Sequence, residues 1–313
     1  MSKLNYVLKR LLQMIPVIFI AAVLIFVMIR MIPGDPARIM VGERALPEVY
    51  EAYREKMGLN EPYWTQFFRF LKSIVTLDLG QSVHYNLPVT QLIASRFGIT
   101  LALTIASTIL TILISLPLGY LAGMRQNKLA DQGIRTFALL GLSIPSFWIA
   151  LVLLMIFGVR LHWFPVSGWG DTFLEQLRSL VLPSITQAIA ASAVVVRNTR
   201  NNVVDVKTQD YVDFARAKGL SRLRVSVSHI IRNALIPTVT LLSMRIAYMF
   251  GGTVIIESVF SMPGMGELLV SSVQRRDYAV VQGVVIVFVL IILVVNLITD
   301  IIYSIIDPRI SLE

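Results

Sequence analysis

The sequence predicts an all-α integral membrane protein. Six transmembrane helices are expected, with an external segment after the first and a polar helical loop on the cytoplasmic side between the fourth and fifth. Three observations predict this. Of the 313 residues, 56% are hydrophobic and only 15% charged, where a soluble domain carries about a quarter charged residues. The apolar residues gather in blocks long enough to cross the hydrocarbon core, for which roughly 20 residues suffice. Basic residues crowd into one of the intervening loops, as they do on the inner side of a membrane protein. The chain divides into a tail and first span (1–32), an external segment (33–98), a five-span core (99–305) containing the polar loop 205–233, and a cytoplasmic tail (306–313).

Lys3, Lys9 and Arg10 precede the first apolar run, residues 11–31. A secretory leader also begins this way, but this run is about twice a typical leader core, and no small-x-small cleavage signal follows. An uncleaved span with its N-terminus inside is expected. Pro16 falls in its first turns, where a span tolerates it. Residues 33–98 hold seven Lys/Arg and seven Asp/Glu, too long and too polar for a turn. Within them 48–57 reads as helix, Gly58-Leu59-Asn60-Glu61-Pro62 as a break, and 63–74 as an amphipathic aromatic helix with Trp64, Phe67, Phe68 and Phe70. Such a helix suits the headgroup layer.

The second span is read over 100–124, with Gly119-x-x-x-Gly123 able to pack helices closely, and Arg125 and Lys128 follow as an inside loop. The third, 134–159, is interrupted by Ser143-Ile144-Pro145-Ser146-Phe147-Trp148. Broken backbone at that depth is either a packed kink or the lining of a water-filled path, so Ser143, Pro145 and Trp148 are candidate pathway residues. A short aromatic external loop leads to the fourth span, 179–196, rich in Ala and Ser. The fifth, 234–256, carries Arg245 and ends at Glu257; Ser261-Met262-Pro263-Gly264-Met265-Gly266 turns outside; the sixth is read over 280–305.

The loop between the fourth and fifth spans, with flanking Arg197 and Arg232, contains eight Lys/Arg; the two short loops assigned outside hold two each. Both termini are therefore expected in the cytoplasm. This loop also reads as two capped helices. Thr208 can cap the first, Asp210 and Asp213 lie early, Arg216 and Lys218 late, and Gly219 follows as the residue that ends it. Ala215 and Ala217 would leave a thin surface for a partner's backbone, and Ser221 can cap a second helix running toward Asn233. A solvated loop remains the plainer reading; a docking element for a soluble partner is the sharper one.

The run Asp210-Tyr211-Val212-x-x-Ala215-Arg216-Ala217-Lys218-Gly219, with His229-x-x-Arg232-Asn233-Ala234-Leu235-x-Pro237, resembles the EAA loop of ABC importer permeases. It is most similar to the dipeptide, oligopeptide, glutathione and nickel branch, with Asp213 near the position where many members have Glu. Pro33-Gly34-Asp35-Pro36, Leu77-Asp78-Leu79-Gly80-x-Ser82, Pro88-Val89 and the closing Asp307-Pro308-Arg309 extend the resemblance over nearly the whole chain. The resemblance implies a bacterial inner-membrane subunit whose loop is a coupling helix seated in a groove of an ATP-hydrolysing partner. It implies a second homologous permease, two ABC ATPases, an extracytoplasmic substrate-binding protein, and surrounding lipid. ATP and Mg would be bound by the ATPases and no cofactor by this chain.

No G-x-x-x-x-G-K-[ST] occurs, so the chain has no P-loop for ATP, and H-E-x-x-H is absent. The chain lacks Cys, and His84, His162 and His229 have no metal-ligand spacing. Catalysis by this chain is not expected, nor is a metal site. The net charge of +9 fits inward-facing loops rather than nucleic acid. An ion-driven secondary transporter would bury acids near the midplane, yet Glu257 and Asp300 lie near span ends. A purely structural scaffold would need no capped loop. Arg245 is the one charge well inside a span; it either partners Glu257 or a helix end, or attracts a substrate carboxylate, so Arg245 and Glu257 join the candidate pathway residues. The resemblance implies di- or oligopeptides, glutathione among them, as the cargo; bare nickel or a metal chelate is the other cargo to weigh.

Overall fold

The computed structural model describes residues 3–31, 35–42 and 44–306. Features read at residues 32–34 and in the tail from 307 lie outside them. Among the described residues every regular element is helical, and the only extended pairing is an isolated bridge between Gln81 and Pro88.

In chain order, α1 (Lys3–Met31) is followed by α2 (Pro36–Val41), which the sequence does not predict, and by α3 (Pro47–Lys56) and α4 (Tyr63–Thr76), close to the two helices expected there. Next, α5 (Val89–Met124) begins eleven residues before the expected start at Thr100. Then come α6 (Leu129–Ser143) and α7 (Ser146–Leu153), the latter continuing as a π-helix to Arg160. Long α8 (Phe173–Lys207) starts at a capping box of Thr172 and Glu175. Two short helices, α9 (Asp210–Ala217) and α10 (Arg222–Arg224), lead through a π stretch, Val225–Ile231, into α11 (Arg232–Val259). Finally α12 (Met265–Gln274), which the sequence reading left as a turn and loop, precedes α13 (Tyr278–Ile306).

Among the described residues five helices are long and apolar enough to cross a membrane, and six if the pair α6 and α7 counts as one span. That pair is not the single interrupted helix expected over 134–159: its halves meet at 101°. The cause is Pro145. It lacks an N–H and excludes the preceding residue from the helical region, and Ile144 accordingly sits at φ −93°, ψ 126°.

The chain forms two compact units. One comprises Thr100–Met262 and the chain from Val295 onward. Here α8 is the most enclosed span, because its small residues let neighbours approach. A Cβ placed on Gly119 would lie 2.6 Å from the Thr199 Cβ, and one on Gly123 2.6 Å from the Val203 Cβ. The G-x-x-x-G motif of α5 thus rides directly on α8. Thr100, Thr104, Ser107, Thr111 and Ser115 form a buried hydroxyl row on α5; Thr104 and Thr111 donate to carbonyls one turn back at 2.9 and 2.8 Å. Gln187 of α8 donates its Nε2–H to the Met249 carbonyl of α11 at 2.7 Å.

The other unit comprises the chain up to Ile99 and Pro263–Val294. Phe67 of α4 stacks edge-on to Phe19 and Phe26 of α1, at 6.0 and 5.1 Å between centroids, so α4 lies along the first span while Trp64 and Phe68 stay exposed. Asp35 caps α2 through the Ala37 amide (2.9 Å), accepts from the Tyr50 hydroxyl, and pairs with Arg54 at 3.2 Å. Buried Asp277, before α13, accepts from the Ser82 hydroxyl at 2.6 Å and from the His84 amide at 3.2 Å. The segment resembling the family's external stretch is thereby pinned to the start of the last span.

Candidate functional site

The candidate site is the α9 region, where the family-like motif lies. Two residues of α9 face inward: Val212 and Ala215 are 0% and 4% exposed. They join Val203, Val225, Ile230 and Ala234 in one apolar cluster, with Tyr120 and Leu220 packed against it. Asp210, Tyr211, Asp213, Arg216, Ala217, Lys218 and Gly219 are exposed, so the loop presents a polar outer face on an anchored base. Two expectations change here. Ala215 is not part of a thin outer surface, because its methyl fills the cluster; Ala217 alone of the pair is outside. Thr208 does not cap α9 either: its hydroxyl donates back to the α8 carbonyls of Val204 and Asp205, and the N-cap is Gln209, whose side chain makes no capping bond.

The end of α9 follows the sequence reading. Gly219 has φ +78°, its amide donates to the Arg216 carbonyl at 2.9 Å, and the Leu220 amide reaches the Ala215 carbonyl at 3.3 Å. This is the two-bond Schellman closure, and only glycine adopts it without penalty. Asp213 and Arg216 pair at 2.8 Å on the surface, both at least half exposed, so the pair adds little stability but complements the helix dipole from both ends. Lys218 lies 4.6 Å from the ring centre of Phe214, an exposed aromatic that the sequence reading did not single out. Ser221 caps the next helix as expected, accepting from the Arg224 amide at 3.3 Å. That helix runs on through the π stretch into α11, a continuous path of 38 residues, Arg222–Val259.

The two halves of the motif meet. Asn233 donates its Nδ2–H groups to the Tyr211 hydroxyl at 3.1 Å and to the His229 carbonyl at 2.8 Å. The hydroxyls of Tyr120 on α5 and Ser226 also bond. Arg232 is exposed. Pro237 lies inside α11 and, having no N–H, frees the Asn233 carbonyl from the helix ladder.

An ionic cluster beside the loop was missed. Asp131 is fully buried at the start of α6 and takes two bonds from Arg200 of α8, Nε at 3.1 Å and Nη2 at 2.7 Å, with the Asn127 amide at 2.8 Å. Nearby, Lys207 donates to the Gly123 carbonyl at 2.8 Å. Asp131 and Arg200 are 69 residues apart, and no spacing rule links them.

The proposed pathway residues do not form one constellation. Ser143 ends α6, its hydroxyl spent on the Leu139 carbonyl at 3.0 Å, and exposed Pro145 and Trp148 flank the 101° break. Arg245 is half-buried with its guanidinium 6.0 Å from the Tyr248 ring centre. It does not partner Glu257, because twelve residues along one helix separate them by about 18 Å. Buried Glu257 instead accepts from the Thr100 hydroxyl at 2.7 Å. Among the described residues no group of three His, Cys, Asp or Glu side chains could hold a metal ion.

Known proteins match this architecture. The family model described as binding-protein-dependent transport system inner membrane component matches residues 115–312, and the model of that component's N-terminal part matches 3–104. The glutathione transport system permease protein GsiC of Escherichia coli (strain K12) is 40% identical over 307 residues, 98% of this chain and 99% of that one. Its counterpart in Salmonella paratyphi A is 41% identical over the same shares. Among solved structures, a chain of the MetNI methionine ABC transporter in an inward-facing conformation superposes with TM-score 0.59 at 16% identity, covering 69% of this chain and 97% of that one. An amino acid ABC transporter crystallised with histidines gives 0.53 at 17% identity over 69% and 94%; both show a shared fold. With family models matching almost end to end, this chain belongs to the binding-protein-dependent transport system inner membrane components, the ABC importer permeases of the dipeptide, glutathione and nickel branch.

Proposed function

We propose that this chain is the permease subunit through which an ATP-driven importer moves di- or oligopeptides, glutathione among them, into a bacterial cell. The observation that carries the cargo class is the 40% identity, over 98% of the chain, to a glutathione transport system permease. The same relatives disfavour nickel or a metal chelate, and membership in the family disfavours an ion-driven secondary transporter.

In this reading the 205–233 loop and both termini are cytoplasmic, because that loop concentrates Lys and Arg. Residues 33–98 then stand on the outer side, near the dock of a substrate-binding protein. A second homologous permease completes the pathway, and two ABC ATPases, which bind ATP and Mg, lie below. The exposed face of α9, with Asp210, Tyr211, Asp213, Arg216, Ala217 and Lys218, enters the groove of one ATPase. Anchored by Val212 and Ala215, α9 passes a push to α8 and α11. ATP shifts the inward–outward equilibrium only by binding one state more tightly than the other. Arg245 is placed on the path, where it attracts the C-terminal carboxylate of a peptide.

The test is purification of the chain from its native membrane in mild detergent, followed by uptake in liposomes. Co-purification of a second permease with P-loop ATPases, and ATP-dependent uptake of glutathione or dipeptide, is the expected result. A chain that comes out alone and moves substrate under a proton gradient would overturn the reading. Arg245→Met with unchanged peptide uptake would remove that residue from the path.

A further inference from the structure

The basic end of the α5–α6–α8 bundle carries a groove that the coupling reading does not use. It encloses about 210 Å³, and Arg135, Arg197 and Arg200 stand at it. Its remaining wall is aliphatic, from Ala122 on α5, Ala138, Leu139 and Leu142 on α6, and Ala193 and Val196 on α8. A second cavity of about 130 Å³ borders it, sharing Ala138, Ala193 and Val196. This second cavity has no charged residue on its wall, and it extends along α8 to Ile189 and along α5 to Ile114. Polarity is therefore graded along the helices, cationic at the bundle edge and hydrocarbon further in. From Arg200 to Ile189 the distance is about 16 Å at 1.5 Å per residue, roughly half a bilayer's hydrocarbon thickness.

The three cations are not equivalent. Arg200 is spent on Asp131, at 2.7 Å. Arg135 and Arg197 are exposed and belong to none of the ion pairs formed among the described residues. Arg135 also lends its charge to the field at Asp131, but two guanidiniums outside any ion pair over an aliphatic slot match a phosphate diester joined to acyl chains. A guanidinium binds phosphate oxygens in a bidentate fork, and basic pockets between membrane helices on the cytoplasmic side hold anionic headgroups.

We propose that this groove is a binding site for an anionic phospholipid, with the headgroup phosphate on Arg135 and Arg197 and an acyl chain along Ala138, Ala193 and Val196. The lipid would fill the space between α6 and α8 beside the buried Asp131–Arg200 pair, making the local leaflet part of the permease.

The test uses the full chain with its co-purifying subunits, delipidated in mild detergent. Phosphatidylglycerol and phosphatidylcholine of identical acyl chains are added, and retained lipid is counted by native mass spectrometry. The wild type is expected to retain phosphatidylglycerol preferentially. Both lipids carry the phosphate diester, so the preference comes from net charge, which the choline cation cancels in phosphatidylcholine; at about 1 kcal/mol per arginine the two imply a preference on the order of thirty-fold. Arg135→Gln with Arg197→Gln should reduce it to about two-fold while helicity is unchanged, since both side chains are exposed. Leu139→Trp, filling the apolar slot, should lower retention of both lipids, and millimolar inorganic phosphate should displace neither. Equal retention of the two lipids by wild type, a preference that survives the double substitution, or displacement by inorganic phosphate would overturn the proposal. So would cross-linking of a second permease subunit to position 139 with no lipid retained.

Discussion

The Asn233 side-chain amide donates to the Tyr211 hydroxyl across 3.1 Å, joining residues 22 positions apart. Asn233 is itself held by the His229 carbonyl, so the bond clamps the outer edge of α9 to the start of α11. Together with the apolar cluster beneath, it ties α9 to that span at two places. Tyr211→Phe keeps the ring and removes the acceptor. It should cost about 0.5–1.5 kcal/mol, at the low end because the bond is exposed. Asn233→Ala also removes the bond to the His229 carbonyl and should cost more, and the two together no more than Asn233→Ala alone plus a few tenths. The check is a double-mutant cycle by thermal unfolding, with substrate moved per ATP falling in each variant. Fully additive losses would show that the bond contributes nothing.

Gly219 has open space where a Cβ would stand, so only its φ of +78° resists substitution. Gly219→Ala should cost about 1 kcal/mol, Gly219→Asn less, and β-branched Gly219→Val more. Under the coupling reading, Gly219→Val should retain ATP hydrolysis but lose most of the uptake tied to it. Parallel assays of both rates decide this; normal coupled uptake would count against a role for the α9 terminus.

Asp131 is fully buried and its partner Arg200 has a side chain 15% exposed. Asp131→Asn strands a guanidinium and should destabilise by about 3–5 kcal/mol. Removing both charges, as Asp131→Asn with Arg200→Gln, should be milder. Thermal unfolding of the detergent-solubilised protein measures the difference; a double variant as damaged as the single one would refute the pairing argument.

Gly123 sits where any side chain would strike Val203 and the Arg200 carbonyl, the latter at 3.0 Å. Gly123→Leu should destabilise by about 1–3 kcal/mol or more through overpacking, whereas Gly133→Leu, with nothing within 4 Å of its Cβ site, should be nearly silent. Expression level and melting temperature of the two variants provide the comparison.

The segment after α1 should respond to acid. Burial raises the Asp35 carboxyl, but the Tyr50 hydroxyl, the Ala37 and Arg38 amides and the Arg54 charge together hold it below the ordinary aspartate value. A carboxyl lowered on folding adds stability that is fully present above that ordinary value and is lost as pH falls through its folded value. Hydrogen-exchange protection factors, taken relative to the intrinsic rate at each pH, should therefore fall over residues 35–42 and 44–54 below the usual aspartate range, and Asp35→Asn should abolish that pH dependence.

Much was legible from residue order alone because the causes are local. Continuous apolar runs specify spans, Gly219 its αL turn, Ser221 its cap, and Pro145 its break, and each acts within a few residues. Boundaries were less legible. Residues 89–99 and 197–207 look like loop by polarity, yet the backbone ladder continues through them in α5 and α8, since helix formation is cooperative and needs no apolar side chain at every turn. The sequence by itself determined an all-helical membrane chain and the existence and C-terminal end of α9. Tertiary structure alone decided that Ala215 faces inward, that Asp131 meets Arg200, that Tyr211 meets Asn233, and that the two glycines of α5 lie on Thr199 and Val203. Those contacts join residues 22 to 80 positions apart or set which face of a short helix is covered. Such outcomes depend on how whole helices pack, and no local spacing rule encodes them.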